Sequence, residues 1–347
     1  MCYFDYYQES PEYAPLAIGG FLPLDSVYAY NPLPAALTAK EQKYIIGVQA
    51  NIWGEYIQTS EYFEYMAFPR LLAMAEVQWT QPAYKDFGSF VRRLDKEFER
   101  LDYCGVNACR NFYEVNLNGA WNEVTGVYEV ALHTFCPDAE IRYAIDDSTV
   151  TAASALYKEP VRLDKDATLY ATVCRDGKLL GKITRKKFVV NKATGCQYDC
   201  TPNPRKRGTN ETFELTDGQR GDARYMHCWV RFRQDRVRIV VALKQKQTVN
   251  KVSFSSLWRP WNRLWPVKAA SVSVSTDGRT FVPVLLSEEI SYDFTLTEGT
   301  RFPVSLAFPD IEAAFVCLEL QGRGKCPKGY YREGEPSRLA IDEIEIY

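Results

Sequence analysis

Residues 44–79, YIIGVQANIWGEYIQTSEYFEYMAFPRLLAMAEVQW, constrain the fold of this chain more than any other stretch. The stretch opens with an apolar run, Ile45-Ile46-Gly47-Val48, which predicts a buried strand rather than a half-exposed one. Side chains alternate faces along a strand, so Ile46, Val48, Ala50 and Ile52 share one face and Gln49, Asn51, Trp53 and Glu55 the other. The first face suits packing helices. The second is an amide row that ends in an indole and a carboxylate. Thr59 or Ser60 then caps a helix, with Glu61 favourably placed in its first turn. Pro69 cannot sit inside a helix without loss, so a second helix restarts there. Upstream, residues 2–8 (CYFDYYQ) predict a short strand with Tyr3, Asp5 and Tyr7 on one face. Downstream, Phe87, Phe90, Val91, Leu94, Phe98 and Leu101 recur at helical spacing over residues 83–103, stopped by Gly105.

VQANIWGEYI followed by YMAFPRLLAMAEVQW resembles the end of the catalytic barrel in the family-20 glycoside hydrolases, the β-N-acetylhexosaminidases. The resemblance implies that Trp53 stacks on the pyranose ring and that Glu55 accepts hydrogen bonds from its hydroxyls. A Tyr-x-Asp closes the preceding strand in that family, which implies that Tyr3 donates to the acetamido carbonyl and Asp5 holds outer hydroxyls. GGFLPLDSVYAYNPLPAALT, between the two motifs, keeps the family's spacing. Without the motif, Trp53 reads as a core aromatic and Glu55 as a solvated loop acid. Catalysis in the family is substrate-assisted: an adjacent Asp-Glu pair supplies the general acid and orients the acetamido nucleophile. The only adjacent Asp-Glu here is Asp342-Glu343 in LAIDEIEIY, a strand pattern that sends the two side chains to opposite faces. No catalytic residue is therefore assigned. A (β/α)8 barrel needs eight strands and about 250 residues. The resemblance thus makes residues 1–112 a C-terminal barrel remnant with two βα units, inactive alone and open to self-association through residues 1–110.

Its 347 residues suggest roughly two or three domains. A net charge of -2 leaves no basic footprint for nucleic acid. No run approaches the ~20 apolar residues of a membrane span, and no leader pattern precedes the first strand. Two histidines, His133 and His227, support no Ser-His-Asp or Cys-His set. Ten cysteines lack paired CxxC spacing and read mostly as buried thiols with at most one disulfide. Compartment does not follow from this chain; a full-length parent of the resembled family would be periplasmic or secreted.

From about Asn111 the period changes to that of strands. VYEVALHTF, AEIRYAID, ATLYATVCRDG and RKKFVVN, separated by Asp, Gly, Ser and Pro, predict a small β-sandwich over residues 113–190. IRYAIDDSTVTAASALYKEPVRL resembles the spacer sandwich that follows the barrel in hexosaminidases and chitobiases. RIVVAL, KVSFSSL, ASVSVSTDG, FVPVLL, AFVCLEL and AIDEIEIY predict further strands over residues 191–347. There LTDGQRGD, WVRF, SVSVSTDGRTF and IDEIEIY resemble a discoidin-type (coagulation factor 5/8 C-terminal) jelly-roll, an arrangement shared with family-32 carbohydrate-binding modules. The expected fold class is therefore multidomain, α/β followed by all-β.

The loop SLWRPWNRLWPVK sets Trp258, Trp261 and Trp265 among Arg259 and Arg263. Such a set can stack on sugar faces and donate to hydroxyls, or two of the three indoles can plug the sandwich. The discoidin resemblance also implies a structural Ca²⁺ held by Asp217, Asp222 and Glu343 together with loop carbonyls. No cofactor is expected for catalysis. The sequence thus points to part of an enzyme acting on N-acetylhexosaminides, with glycans as partners. Its rival is a non-catalytic carbohydrate-binding or interaction protein.

Overall fold

The computed structural model describes residues 2–9, 14–204, 214–221, 229–296 and 299–347. The helices gather in the first third: α1 (Leu24–Ala29), α2 (Ala39–Gln42), α3 (Ser60–Ala67), α4 (Arg70–Trp79) and α5 (Phe87–Tyr103). Local signals fix the longer ones. Thr59 Oγ1 accepts from the Tyr62 N–H at 3.1 Å, satisfying a donor that the first turn of α3 leaves open. Pro69 stands at the N-cap of α4, as its sequence position predicts. Asp86 caps α5 by accepting from Ser89, and the helix buries Phe90, Val91, Leu94 and Phe98, roughly 1.5–3 kcal/mol each. Gly105, at φ +73°, ends it, and the Val106 N–H returns to the Leu101 carbonyl at 2.9 Å.

The strands of this region are shorter than the sequence predicts. β1 (Cys2–Tyr3) pairs in parallel with β2 (Ala50–Asn51), Tyr3 opposite Asn51. Residues 45–49 are not strand, and Ile46 is fully exposed, whereas Val48, Ala50 and Ile52 pack against the core as expected. The physical reason is the lack of partners: among the described residues β2 has one neighbouring strand, and unpaired backbone further along gains nothing by extending. Residues 4–8 leave the strand as well. The Phe4 and Tyr6 carbonyls bond to the Arg70 guanidinium instead of to a neighbouring strand.

Two sheets follow. β3 (Asn116–Asn122), β4 (Val127–His133) and β7 (Val161–Leu163) form one; β5 (Glu140–Ile145), β6 (Ala155–Leu156), β8 (Ala167–Arg175), β9 (Lys178–Leu179) and β10 (Thr184–Phe188) form the other. One apolar cluster runs from Cys2 and Phe4 through α5 to Val130, Leu169 and Phe188, so the helical segment and this sandwich share a core. Asp95 on α5 reinforces the junction, accepting from Tyr113 Oη at 2.7 Å and pairing with Arg175 at 2.8 Å.

The third unit comprises β11 (Gln197–Thr201), β12 (Val230–Phe232), β13 (Arg236–Leu257), β14 (Ala269–Ser275), β15 (Val282–Glu289), β16 (Arg301–Gln321), β17 (Leu339–Ile341) and β18 (Glu345–Ile346). RIVVAL and KVSFSSL are not two strands but one 22-residue strand, β13, paired antiparallel with β16. Register shifts between Ala242 and Gln247 and between Val249 and Lys251 bend the pair while its hydrogen bonds continue. A second apolar cluster lies between its faces. The two sandwiches meet at Trp121. Gly195 sits under its ring at φ +70°, where a Cβ would fall 2.1 Å from the indole, and Lys244 caps the other contact 2.8 Å from the ring centroid.

Candidate functional site

Tyr3 to Asp5 and Trp53 to Glu55 run on from the C-terminal ends of the adjacent parallel strands β1 and β2, joined by the Phe4 N–H to the Asn51 carbonyl at 2.7 Å. Gln49 donates to Asn51 at 2.8 Å, so the amide row exists as expected. Trp53 is 60% exposed and Glu55 is exposed. Trp53 lines a cleft of about 290 Å³ with Ile52, Gly54, Ile57, Thr59 and Phe63. Tyr3, Asp5 and Glu55 are outside that lining. Tyr3 stacks on Tyr6, with centroids 5.5 Å apart. Asp5 is buried, and its Oδ1 has no hydrogen-bond partner.

What holds these tips is Arg70, which the sequence reading did not single out. Its side chain is fully buried and donates to the carbonyls of Phe4, Tyr6 (2.9 Å), Leu22 (3.1 Å) and Met66, the last at the end of α3. The Phe4 ring lies against it, 4.9 Å from centroid to guanidinium. Burial pushes its pKa down to about 10, which leaves it cationic at neutral pH. A lone arginine in the apolar run FPRLLAMA was the available signal. Nearby, burial and the Glu9 carboxyl push Glu114 up to about 9.

In the third unit the tryptophan loop divides. Trp258 and Trp265 are buried, 6.2 Å apart, among Phe294, Phe302 and Tyr330. They plug the sandwich and offer no face to a sugar, because the chain turns inward as it leaves β13. Trp261 is 42% exposed, with Arg259 5.4 Å over its ring. Arg263, in the left-handed region at φ +61°, pairs with Glu335 at 2.5 Å. Trp261 and Arg263 line an opening of about 320 Å³ with Arg231, Arg233, Arg332 and Arg338. Arg231 and Arg233 alternate around buried Phe232, a period-two signal that the sequence reading passed over.

Asp217 and Glu343 are brought together, while Asp222 lies outside the described residues. Asp342 and Glu343 interrupt the expected terminal strand between β17 and β18. Asp342 accepts from the Ser255 and Gly221 N–H groups, whereas Glu343 faces Asp217. Burial raises Asp217 to about 6 and holds Glu343 well above the carboxylate range. Both Glu343 oxygens are buried with no well-formed hydrogen bond. A buried acid with two orphaned oxygens beside a second, half-buried acid suits a hard cation. Among the described residues no three His, Cys, Asp or Glu side chains converge, so backbone carbonyls would have to complete the shell. Nine described cysteines are free thiols, and the allowed disulfide is not among them.

Residues 1–82 match the catalytic domain of glycosyl hydrolase family 20. A beta-hexosaminidase of Porphyromonas gingivalis (strain ATCC BAA-308 / W83) is 41% identical over 183 residues, covering 51% of this chain. The N-terminal segment is thus similar to part of the glycosyl hydrolase family 20 catalytic domain. The chain spans 23% of that relative's length. Further along the chain, residues 130–188 match the Fn3 associated family. Among solved structures, chitosan-binding module 1 of a Paenibacillus sp. IK-5 chitosanase/glucanase overlaps 45% of this chain and 97% of its own, at 19% identity and TM-score 0.28. Module 2 of the same enzyme, solved with chitotriose, overlaps 45% and 99%, at 17% identity and TM-score 0.28. Among the described residues no helix is long and apolar enough to cross a membrane.

Proposed function

We propose that residues 1–112 are the closing βα units of a family 20 barrel and that Tyr3, Asp5, Trp53 and Glu55 form one wall of its N-acetylhexosaminide pocket. The parent activity is removal of terminal β-linked N-acetylglucosamine or N-acetylgalactosamine. The observation that carries this is the parallel pairing of β1 and β2, since parallel barrels build their sites beyond the C-terminal strand ends. This chain alone binds without cleaving. Its one adjacent Asp-Glu pair, Asp342-Glu343, is buried in another unit. In a Trp261→Ala background, titration with N-acetylglucosamine should quench tryptophan fluorescence, and adding Trp53→Ala should remove the response. A response that survives Trp53→Ala contradicts the assignment. Affinity will be weak, because an open wall orders few groups.

Residues 113–190 act as a spacer, and residues 191–347 as a glycan-binding sandwich that reaches its ligand through Trp261, with a structural Ca²⁺ at Asp217 and Glu343. Residues 1–110 also carry an adhesive surface: Ile46 is 100% and Trp79 90% exposed, and among the described residues no further strand pairs with the two-stranded sheet. Self-association through this surface should appear in light scattering as mass that rises with concentration. A constant monomer mass, with rapid proteolysis confined to this segment, contradicts it.

A further inference from the structure

We infer that Glu9 and Glu114 share one proton and thereby form an acid-strengthened latch between the N-terminal segment and the first β-sandwich. The two carboxyls come from different parts of the fold. Glu9 lies on the segment that follows β1, whereas Glu114 stands two residues before β3. Asn111 brings them together: its Nδ2 donates to the Gln8 carbonyl at 2.6 Å, and the Glu114 N–H donates to the Asn111 carbonyl at 2.9 Å. Gln8 is held in turn through its side-chain amide, which donates to the Tyr65 carbonyl on α3. Glu9 is 3% exposed, and its Oε1 has no donor. Its carboxyl meets that of Glu114 within hydrogen-bonding reach.

Two carboxylates in contact away from water cannot both ionise at neutral pH, because little solvent separates their charges. A retained proton turns the repulsion into a hydrogen bond, with Glu114 as donor and Glu9 as acceptor. Burial first, and the Glu9 carboxyl second, hold that proton on Glu114 up to about 9. Exposed Lys182, between β9 and β10, favours the ionised form of Glu114 and does not offset those two causes. The Cys109 thiol also faces the pair, and burial keeps it neutral, well above its usual range. Arg70, beside Cys109, stays cationic, so neither changes charge between about pH 5 and 8. An unfolded chain releases the Glu114 proton near the ordinary glutamate value of about 4.3. Between that value and about 9 the folded state holds one more proton, so the stability it contributes is full in acid and is lost as pH rises. The junction therefore tightens on mild acidification, the reverse of an ion pair such as Asp95–Arg175.

The test is urea unfolding of the full chain and of its Glu114→Gln variant from about pH 5 to 8. Glutamine keeps the shape and a donor of the protonated acid, and it cannot titrate. The ratio of the wild-type unfolding constant to that of the variant should rise roughly tenfold per pH unit, the effect of one proton. The raised acids of the third unit, Asp217 and Glu343, are common to both chains and cancel in the ratio. Glu9→Gln removes the second cause, so in that background the same ratio should level off at a lower pH. A ratio that stays flat overturns the shared proton. A ratio that rises equally with and without Glu9→Gln shows that burial alone holds the proton, and it overturns the latch.

Discussion

Arg70→Leu is expected to lower the unfolding free energy of the N-terminal half by about 3–5 kcal/mol, as measured by urea unfolding. Two effects oppose each other. Leucine removes a buried guanidinium, whose desolvation alone costs several kcal/mol. It also strips donors from the carbonyls of Phe4, Tyr6, Leu22 and Met66, and each buried acceptor left unpaired costs about 1–3 kcal/mol. Four acceptors against one cation decide the sign. Arg70→Lys should recover less than half of the loss, because a single ammonium cannot reach carbonyls on three separate segments. The same variants should weaken N-acetylglucosamine binding, since Arg70 holds the β1 tip that carries Tyr3 and Asp5. A loss below about 1 kcal/mol for Arg70→Leu would show that other contacts hold the tip.

The second large effect is expected from calcium. Adding Ca²⁺ to chain stripped with a chelator should raise the melting temperature of the third unit, and Glu343→Gln should abolish the rise. Ligand at about 100 times its Kd stabilises by about 2.7 kcal/mol. The motive is the pairing of buried Glu343, both of whose oxygens lack good donors, with half-buried Asp217. A cation changes the arrangement most at Glu343, which it would keep ionised. Because glutamine has the shape of glutamate, it keeps the packing of buried Glu343 and removes only the charge. An unchanged melting temperature at millimolar Ca²⁺ would show that Asp217 and Glu343 instead share a proton.

How much the sequence disclosed follows the range of the forces involved. α3 and α4 were legible because Thr59 and Pro69 act within one turn, and α5 because its apolar spacing is local; its start at Phe87 rather than 83 follows from the Asp86 cap, which was not read. The strand over residues 45–48 was misjudged because hydrophobicity shows that residues want burial, not that a partner strand exists to pair them. Ile46 is exposed for that reason. β13 was cut in two because bulges at residues 242–251 break the alternation, and residues 302–308 of β16 were missed altogether. For the sites, the dense motif singled out Trp53 and Glu55, of which Trp53 lines a cleft and Glu55 is outside its lining. Trp258 and Trp265 were not separable from Trp261, since only Phe294, Phe302 and Tyr330, far along the chain, decide which indoles are enclosed. The arginine cluster draws on residues more than 100 positions apart, which no local pattern reports.

The wall assigned to Tyr3, Asp5, Trp53 and Glu55 can contact a sugar, but cleavage requires more. The leaving oxygen must be protonated by a positioned acid, which typically contributes on the order of 10²–10⁴-fold in rate. The acetamido oxygen must also be held in line with the anomeric carbon. On the proposed assignment, Tyr3 serves part of the second need. Asp342 and Glu343, buried beside Ser255 and Asp217, serve neither. The most direct measurement is an aryl N-acetyl-β-glucosaminide assay on this 347-residue chain, freed of host hexosaminidase. No turnover above background, from protein whose tryptophan fluorescence still responds to N-acetylglucosamine, is the expected result. Turnover that disappears in Glu55→Gln would contradict it and would require a catalytic acid within this chain.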